Sequence, residues 1–431
     1  MRDISVSFAT TAYVQVLNIA TGLIAARILL PEGRGELAAL MLWPGLIAEL
    51  GNLGLSDALL YRLSAARTAP RIVFGTAILL TIALCAVLIP IGLAILPFAM
   101  STLDADITAA AHWYMILFLP IYFASLFVAN MFQGKLDLVA WNLVRAIVPT
   151  LYLIGIITLG VTIAPEAPEF AGANLVAMFA SAAVGIMLLL QRGWFGWRPD
   201  RGEAKAMLVY GAKSHLSEIL HSLRSKLDQA VVAKLMLAAD LGLYAVSLTV
   251  ANGPLILVQT VANVAFPKIS AQPDHTGKMV VFGSYLRLCL ALVLALDLAL
   301  FLTNWFVIPL LFGKAFADSV LTANLLLIGL VPFAAKLMCA AALKAWDRAL
   351  AIPRAEIWGL AVIALALLLL VPRYGLVGAA LANVIAQCVS ATVLGFTLVR
   401  ELDVHPIRLM RPTVSDIANL RAVLAKVLRR G

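Results

Sequence analysis

Residues 72–96 read IVFGTAILLTIALCAVLIPIGLAIL and contain no charged side chain. An α-helix rises 1.5 Å per residue, so a run of about 25 residues is long enough to cross a hydrocarbon layer of about 30 Å. In water, these residues would need an apolar partner along their whole length. The stretch therefore predicts a membrane-spanning helix.

The composition of the whole chain supports the same interpretation. Hydrophobic residues make up 63% of the 431 residues, and charged residues make up only 13%. Soluble domains contain about 25% charged residues. A soluble core of this size could not hide so much apolar surface, whereas a bilayer can solvate it.

Apolar runs of spanning length recur about twelve times along the chain. They fall into two sets of six, separated by the polar, glycine-containing segment Gln191–Gly202. The fold class predicted from them is an all-α polytopic membrane protein. The predicted spans are Val6–Leu30, Leu37–Tyr61, Ile72–Leu96, Ile107–Phe132, Val139–Ile163, Phe170–Leu190, Ala206–Leu237, Leu241–Phe266, Val281–Leu302, Leu321–Leu343, Ala349–Val371 and Gly375–Val399. Between spans nine and ten, Trp305–Phe312 predicts a short external or re-entrant helix.

The net charge of +9 fits membrane topology rather than nucleic-acid binding, because the charges are concentrated in short loops. Most Lys and Arg residues fall in the connections on one side of the membrane. The opposite connections hold only Arg27, Arg34, Lys234, Lys314 and Arg373. By the positive-inside rule, both termini are predicted to be cytoplasmic.

The tail 400–431 predicts a basic amphipathic helix that Ser415 or Asp416 could cap. An apolar face flanked by Arg and Lys is typical of a segment lying on the anionic inner leaflet. A site for a partner protein is the alternative.

An internal repeat appears when the chain is shifted by about 207 residues. Gly35 then aligns with Gly242, and the segment 26–30 aligns with 233–237. Each half has six spans, an even number, so the halves share an orientation and should be related by a pseudo-two-fold axis along the membrane normal. The predicted organisation is a six-helix lobe 1–202, a six-helix lobe 203–399 and the tail.

Polar side chains recur on one face of several spans, where they are costly unless they have a function or a partner. In span seven they follow steps of three and four residues, which keeps them within about 80° of the helix circumference. Such a face favours a water-filled cavity, and hydrogen bonding between neighbouring helices is the alternative. The candidate binding residues are Lys213, Ser217, His221, Arg224, Asp228, Gln15, Asn18, Glu49, Asn52, Asn252, Gln259 and Asn263.

Motifs for covalent chemistry are missing from the sequence, which contains no P-loop, HExxH or GxSxG pattern. The five His residues are too scattered for a metal set, although Glu218 and His221 stand three residues apart on one predicted helix. A transporter without cofactor or metal is therefore predicted. Proton or sodium coupling through Glu49, His221 or Asp228 stays open.

Three groups of segments resemble the polysaccharide or O-antigen flippases of the multidrug/oligosaccharidyl-lipid/polysaccharide (MOP) exporter superfamily. The first group is AARILLPEGRGELAALMLWP (25–44) with LGNLGLSDALLYRLS (50–64). The second is VYGAKSHLSEILHSLRSKLDQAVVAKLMLAADLGLYAVS (209–247) with VANVAFPKIS (261–270). The third is LLFGKAF (310–316) with RYGLVGAALANV (373–384).

The resemblance implies two six-helix lobes in a V, with spans one, two, seven and eight around a central cavity. It also implies an undecaprenyl-pyrophosphate-linked glycan as substrate, flipped outward across a bacterial inner membrane, with polysaccharide assembly proteins as possible partners. On this chain the cavity stripe would be Lys213, His221, Arg224 and Asp228. Glu49 and Asp228 depart from the more cationic cavities typical of such families. The alternatives are an ion-coupled multidrug exporter of the same superfamily and a membrane glycan polymerase or ligase.

Overall fold

The computed structural model describes residues 2–65 and 68–409, without the side chains of residues 2–5, 8, 214, 217, 221, 256 and 408. These residues form α-helices joined by short connections and one 3₁₀ turn, Lys314–Phe316. The helices are α1 (Arg2–Gly51), α2 (Leu55–Ser64), α3 (Pro70–Ala99), α4 (Ala105–Gly134), α5 (Leu138–Thr162), α6 (Ala167–Gln191), α7 (Arg201–Leu235), α8 (Ala238–Ala251), α9 (Leu255–Ser270), α10 (His275–Phe312), α11 (Ser319–Ala345), α12 (Ala351–Leu402) and α13 (Pro406–Leu409).

Eight of these helices are long and apolar enough to cross a membrane by length and composition. Two of the eight, α1 and α12, each contain a backbone break between two predicted spans. The break in α1 is at Leu30, with φ 57° before Pro31, and the break in α12 is at Gly375, with φ 54°. Both positions coincide with predicted span boundaries. The predicted all-α polytopic membrane fold is confirmed.

Three predicted spans differ from a single apolar helix. The prediction of span two as one helix, Leu37–Tyr61, is wrong, because Asn52–Gly54 interrupts it between α1 and α2, where Leu53 and Gly54 have positive φ. Span seven corresponds to α7, which has 35 residues but carries too many charges to be recognised by its composition. Span eight is not continuous, because Asn252–Pro254 interrupts it between α8 and α9. Pro254 has no backbone N–H and fixes its own φ, so it favours the start of a new helix over the continuation of the old one.

The short external helix predicted at Trp305–Phe312 is wrong, because these residues are the last turns of α10. Pro309 did not end the helix. Asn304 explains part of this continuity, since its side-chain amide donates to Asn324 Oδ1 of α11 at 2.8 Å and fixes the helix there.

The described chain packs into two compact units, Met1–Val246 with Pro309–Ala317, and Ser247–Ile308 with Asp318–Gly431. The second unit has an apolar core in which α9, α10, α11 and α12 each contribute, including Phe282, Met338 and Leu394. The lobes 1–202 and 203–399 rest on the sequence repeat and stay a prediction. The amphipathic helix predicted in the tail lies outside the described residues.

Candidate functional site

Helix α7 carries most of the candidate residues, and local interactions fix where it begins. The side chain of Asp200 accepts a hydrogen bond from the backbone N–H of Glu203 at 2.7 Å, which caps the helix. Glu203 in turn is buried and pairs with Arg62 at the end of α2. Arg62 Nε donates to Glu203 Oε1 at 2.6 Å and its Nη2 donates to Oε2 at 2.5 Å.

One face of α7 lies directly against the junction of α1 and α2. A Cβ atom added to Gly54 would lie 2.2 Å from the carbonyl oxygen of Gly211, so the two backbones touch. Gly54 also has φ 67°, a conformation that glycine adopts at little cost. One turn further along α7, His215 Nε2 donates to the carbonyl oxygen of Leu50 at 2.9 Å. The sequence patterns gave no indication of these contacts.

Glu49 of α1 is the predicted site carboxylate whose partner is clearest. It accepts a hydrogen bond from Lys226 Nζ at 2.6 Å, and both side chains are partly buried. The two residues are 177 positions apart in the chain. Lys226 was not among the predicted site residues, although it lies two positions from Arg224. The ion pair neutralises the negative charge of Glu49, one of the two acidic residues that depart from the cationic cavities typical of the resembled families.

The predicted stripe of α7 lies on the other side of the helix from these contacts. Lys213 is two residues from both Gly211 and His215, which places it about 200° around the helix. Its side chain is exposed and makes no ion pair with any residue that the structure describes. Arg224 is buried, with 7% of the residue's surface accessible.

Asp228 ends the stripe and is buried as well. Its Oδ2 accepts a hydrogen bond from the hydroxyl of Tyr244 on α8 at 2.7 Å, and Oδ1 accepts one from the backbone N–H of Gln229 at 2.8 Å. The carboxylate thus ties α7 to α8. Hydrogen bonding of this kind between helices is the alternative to a cavity, and the sequence patterns do not identify Tyr244 as the partner. The side chains of Ser217 and His221 lie outside the described part of the chain.

The other candidate residues fall in both compact units. In the first, Gln15 is half-buried, Asn18 is exposed, and Asn52 is buried and donates to Ser56 Oγ at 3.1 Å. In the second, Asn252, Gln259 and Asn263 are exposed at α8, α9 and the segment between them. Exposed amides on spanning helices suit a polar surface better than a lipid-facing one. That the twelve residues form one site stays a prediction.

The architecture just described is an all-α polytopic membrane fold that is shared with solved structures of MOP superfamily transporters. Solved structures with this fold include the lipid II flippase MurJ in an inward closed conformation, with a TM-score of 0.77 at 14% identity over 94% of this chain and 89% of that one. An inward-facing multidrug resistance MATE family transporter matches with a TM-score of 0.71 at 17% identity, over 88% and 92% of the two chains. A MOP superfamily transporter from Pyrococcus furiosus matches with a TM-score of 0.61 at 14% identity, over 89% and 91%. At these identities the matches establish the fold.

A match to a sequence family is more specific than the shared fold. The family model described as polysaccharide biosynthesis protein matches residues 24–321, which is more than half of the chain. The chain belongs to this polysaccharide biosynthesis family. The amylovoran biosynthesis protein AmsL of Erwinia amylovora is 28% identical over 159 residues, which cover 34% of this chain and 40% of that protein. The chain thus spans well under two thirds of the length of this curated relative.

Proposed function

We propose that this protein is an alternating-access flippase that moves a polyprenyl-pyrophosphate-linked oligosaccharide from the cytoplasmic to the outer leaflet of a bacterial cytoplasmic membrane. Membership of a polysaccharide biosynthesis family and the fold shared with a lipid II flippase support the proposal. Both termini would lie in the cytoplasm. The reaction would need no cofactor, metal or covalent step, and the protein would be a transporter rather than an enzyme.

The distribution of charge along α7 is the observation that best supports an anionic substrate. The helix's acidic neighbour Glu49 is neutralised by Lys226, and Asp228 is occupied by Tyr244. Lys213 remains exposed on the opposite face of the helix. A lysine in a spanning helix is costly unless it faces water or an anion. The diphosphate of a polyprenyl carrier is an anion of suitable charge.

In the proposed cycle, Lys213 and Arg224 hold the pyrophosphate through charge-assisted hydrogen bonds. The side-chain amides of Gln15, Asn18 and Gln259 hydrogen-bond to sugar hydroxyls, and the polyprenyl tail stays in the lipid. Outward movement of an anion is favoured by a negative-inside potential, by about 2.3 kcal/mol per charge per 100 mV. Coupling to H⁺ or Na⁺ would add to this driving force.

The two alternative functions would need chemical groups different from those of the described residues. An ion-coupled exporter of cationic drugs would need an acidic site, whereas the carboxylates Glu49 and Asp228 already have partners. A glycan polymerase or ligase would need a sizeable external domain carrying reactive residues. The connections between the described helices are short.

The test is the amount of lipid-linked oligosaccharide that reaches the outer leaflet in cells whose own flippase gene is deleted. Exposed oligosaccharide is measured by cleavage with a glycosidase added outside spheroplasts. Losing one charged hydrogen bond costs about 1.5–3 kcal/mol, so Lys213→Ala should lower the initial rate of exposure about ten-fold or more. Lys213→Arg, which keeps the charge, should retain most of the rate.

Lys205→Ala is the matched control, because Lys205 is another exposed lysine of α7, near the start of the helix. It should leave exposure unchanged. Equal exposure in Lys213→Ala and wild-type cells, at equal protein levels, would remove Lys213 from the pathway. Failure of the wild-type gene to restore exposure of several different lipid-linked glycans would favour the small-molecule exporter.

A further inference from the structure

Two glycines related by the sequence repeat touch each other in the structure. A Cβ atom added to Gly35 of α1 would lie 1.7 Å from the carbonyl oxygen of Ala238 and 2.9 Å from the backbone nitrogen of Gly242. A Cβ atom added to Gly242 of α8 would lie 1.9 Å from the carbonyl oxygen of Pro31 and 3.0 Å from the nitrogen of Gly35. No side chain larger than hydrogen fits at either position without moving a backbone.

This contact is reciprocal in the way that a two-fold axis requires. The shift of about 207 residues that aligns Gly35 with Gly242 also aligns Pro31 with Ala238. Gly35 touches Ala238, and its counterpart Gly242 touches Pro31. The two equivalent glycines thus make the same contact in opposite directions, which is the pattern of an isologous contact. The pseudo-two-fold axis predicted from the repeat would therefore pass between the two glycines.

The contact lies at the end of the helices that is predicted to face away from the cytoplasm. On α1 it follows directly after the break at Leu30, and on α8 it lies just after the end of α7. Two hydrogen bonds near the end of α7 also join the predicted lobes. Lys234 Nζ donates to Ser101 Oγ at 2.7 Å, and Thr102 Oγ1 donates to the carbonyl oxygen of Ala233 at 3.2 Å.

All of these contacts lie within the first compact unit, and each joins a residue of the predicted lobe 1–202 to a residue of the predicted lobe 203–399. Backbone contact without side chains between them leaves no gap for a sugar or for water. It also forms without displacing a large side chain, so it can part and re-form at low cost. These are the properties that a seal at the end of a transport pathway needs.

We propose that Pro31–Gly35 and Ala238–Gly242 form the outer seal of the transport pathway, which must part on the pseudo-two-fold axis to release the substrate. The inference rests on the proposed function only for the identity of what is released. Gly35 and Gly242 act as positioning residues, since neither needs to touch the substrate. Substitution of either glycine by alanine holds the seal open, because the added methyl group meets backbone atoms that cannot rotate away.

The direct test measures access of a thiol reagent rather than transport. Ala39 is buried one helical turn beyond Gly35, towards the middle of the membrane. The four natural cysteines are first replaced by alanine, and Ala39→Cys is then introduced as the reporter. Intact cells are treated from outside with a membrane-impermeant maleimide. Gly35→Ala or Gly242→Ala should raise the labelling rate about ten-fold or more over the reporter alone.

Gly172→Ala is the matched control, since a Cβ atom at Gly172 of α6 meets nothing within 4 Å. It should leave the reporter as protected as in the parent. Unchanged protection of the reporter in Gly35→Ala and Gly242→Ala, in protein that is folded and inserted, would overturn the seal. This outcome is independent of whether any glycan is moved.

A second measurement keeps both glycines native, in case their variants fold poorly. Ser101→Cys and Lys234→Cys are joined by a short, reducible bifunctional thiol reagent, which would hold the seal closed. Export should stop and should return after reduction. The control pair Tyr13→Cys and Thr150→Cys links two residues of one predicted lobe, whose hydroxyls lie 3.0 Å apart, and should leave export intact. Full export by the cross-linked Ser101–Lys234 protein would contradict the proposal.

Discussion

The ion pair between Arg62 and Glu203 should be one of the larger single contributions to the stability of the first unit. Only 3% of the Glu203 side chain and 17% of the Arg62 side chain are accessible. Two hydrogen bonds of 2.6 and 2.5 Å join them, and Thr68 Oγ1 donates a third to Glu203 Oε2 at 2.8 Å. Removing the arginine alone would leave a buried carboxylate with a hydroxyl as its main side-chain partner.

Breaking a buried pair by removing one partner costs about 3–5 kcal/mol, because the remaining charge stays out of water. Arg62→Met should therefore lower the free energy of unfolding by about that amount. Replacing both residues removes the stranded charge as well, and such replacements are often nearly neutral. The double variant Arg62→Met/Glu203→Met should lose no more than about 1 kcal/mol, which implies a coupling energy of about 2 kcal/mol or more.

The assay is reversible unfolding in mixed detergent micelles, with the two single variants and the double variant measured beside the wild type. Lys205→Met serves as a control at a neighbouring exposed position of the same helix and should change stability little. A double variant that loses as much stability as the sum of the single variants would show no coupling. That result would refute the argument that the charge of Glu203 is stranded when Arg62 is removed.

Further variants test the buried hydrogen bonds by the same unfolding assay. Tyr244→Phe should cost about 1–3 kcal/mol, because it removes the hydroxyl that donates to the buried carboxylate of Asp228. A cost near zero would mean that Asp228 has another adequate partner. In the second unit, Lys336→Met should cost about 3–5 kcal/mol by removing the ion-pair partner of Glu356, whose Oε1 lies 3.0 Å from Lys336 Nζ, and Lys336→Met/Glu356→Met should recover most of that. Ser390→Ala should cost about 0.5–1.5 kcal/mol, since its hydroxyl donates to a backbone carbonyl in the first half of α12 at 3.2 Å, and an unchanged stability would argue against that bond.

The sequence predicted the fold well because the signals for spanning helices are local. Length and lack of charge located the apolar spans, and the predicted span boundaries at Leu30 and Gly375 coincide with the backbone breaks in α1 and α12. The interruptions of span two at Asn52–Gly54 and of span eight at Asn252–Pro254 were missed, because their flanking residues are as apolar as the rest of a span. The continuation of α10 through Trp305–Phe312 was missed, because this apolar piece is too short to span a membrane and was therefore read as a separate helix.

Helical periodicity could predict which candidate residues share a face of one helix, but not which residues of different helices are in contact. The steps of three and four residues placed Lys213, Arg224 and Asp228 on one face of α7. Periodicity could not reveal that Glu49 pairs with Lys226, because that contact joins residues 177 positions apart. The close approach of Gly54 to Gly211 depends in the same way on tertiary packing. The repeat did align Gly35 with Gly242, but only coordinates show that the two aligned residues touch.

The measurement that decides the function most directly is flipping of a labelled polyprenyl-pyrophosphate oligosaccharide in proteoliposomes. Wild-type protein is compared with Arg224→Ala, with Arg224→Lys as the variant that keeps the buried charge, and the fold of each is checked by its unfolding transition. We expect the wild type to transfer the labelled lipid, Arg224→Ala to lose transfer, and Arg224→Lys to retain part of it. Folded wild-type protein that transfers none of several such lipids, under a membrane potential and with H⁺ and Na⁺ gradients, would contradict the proposed function.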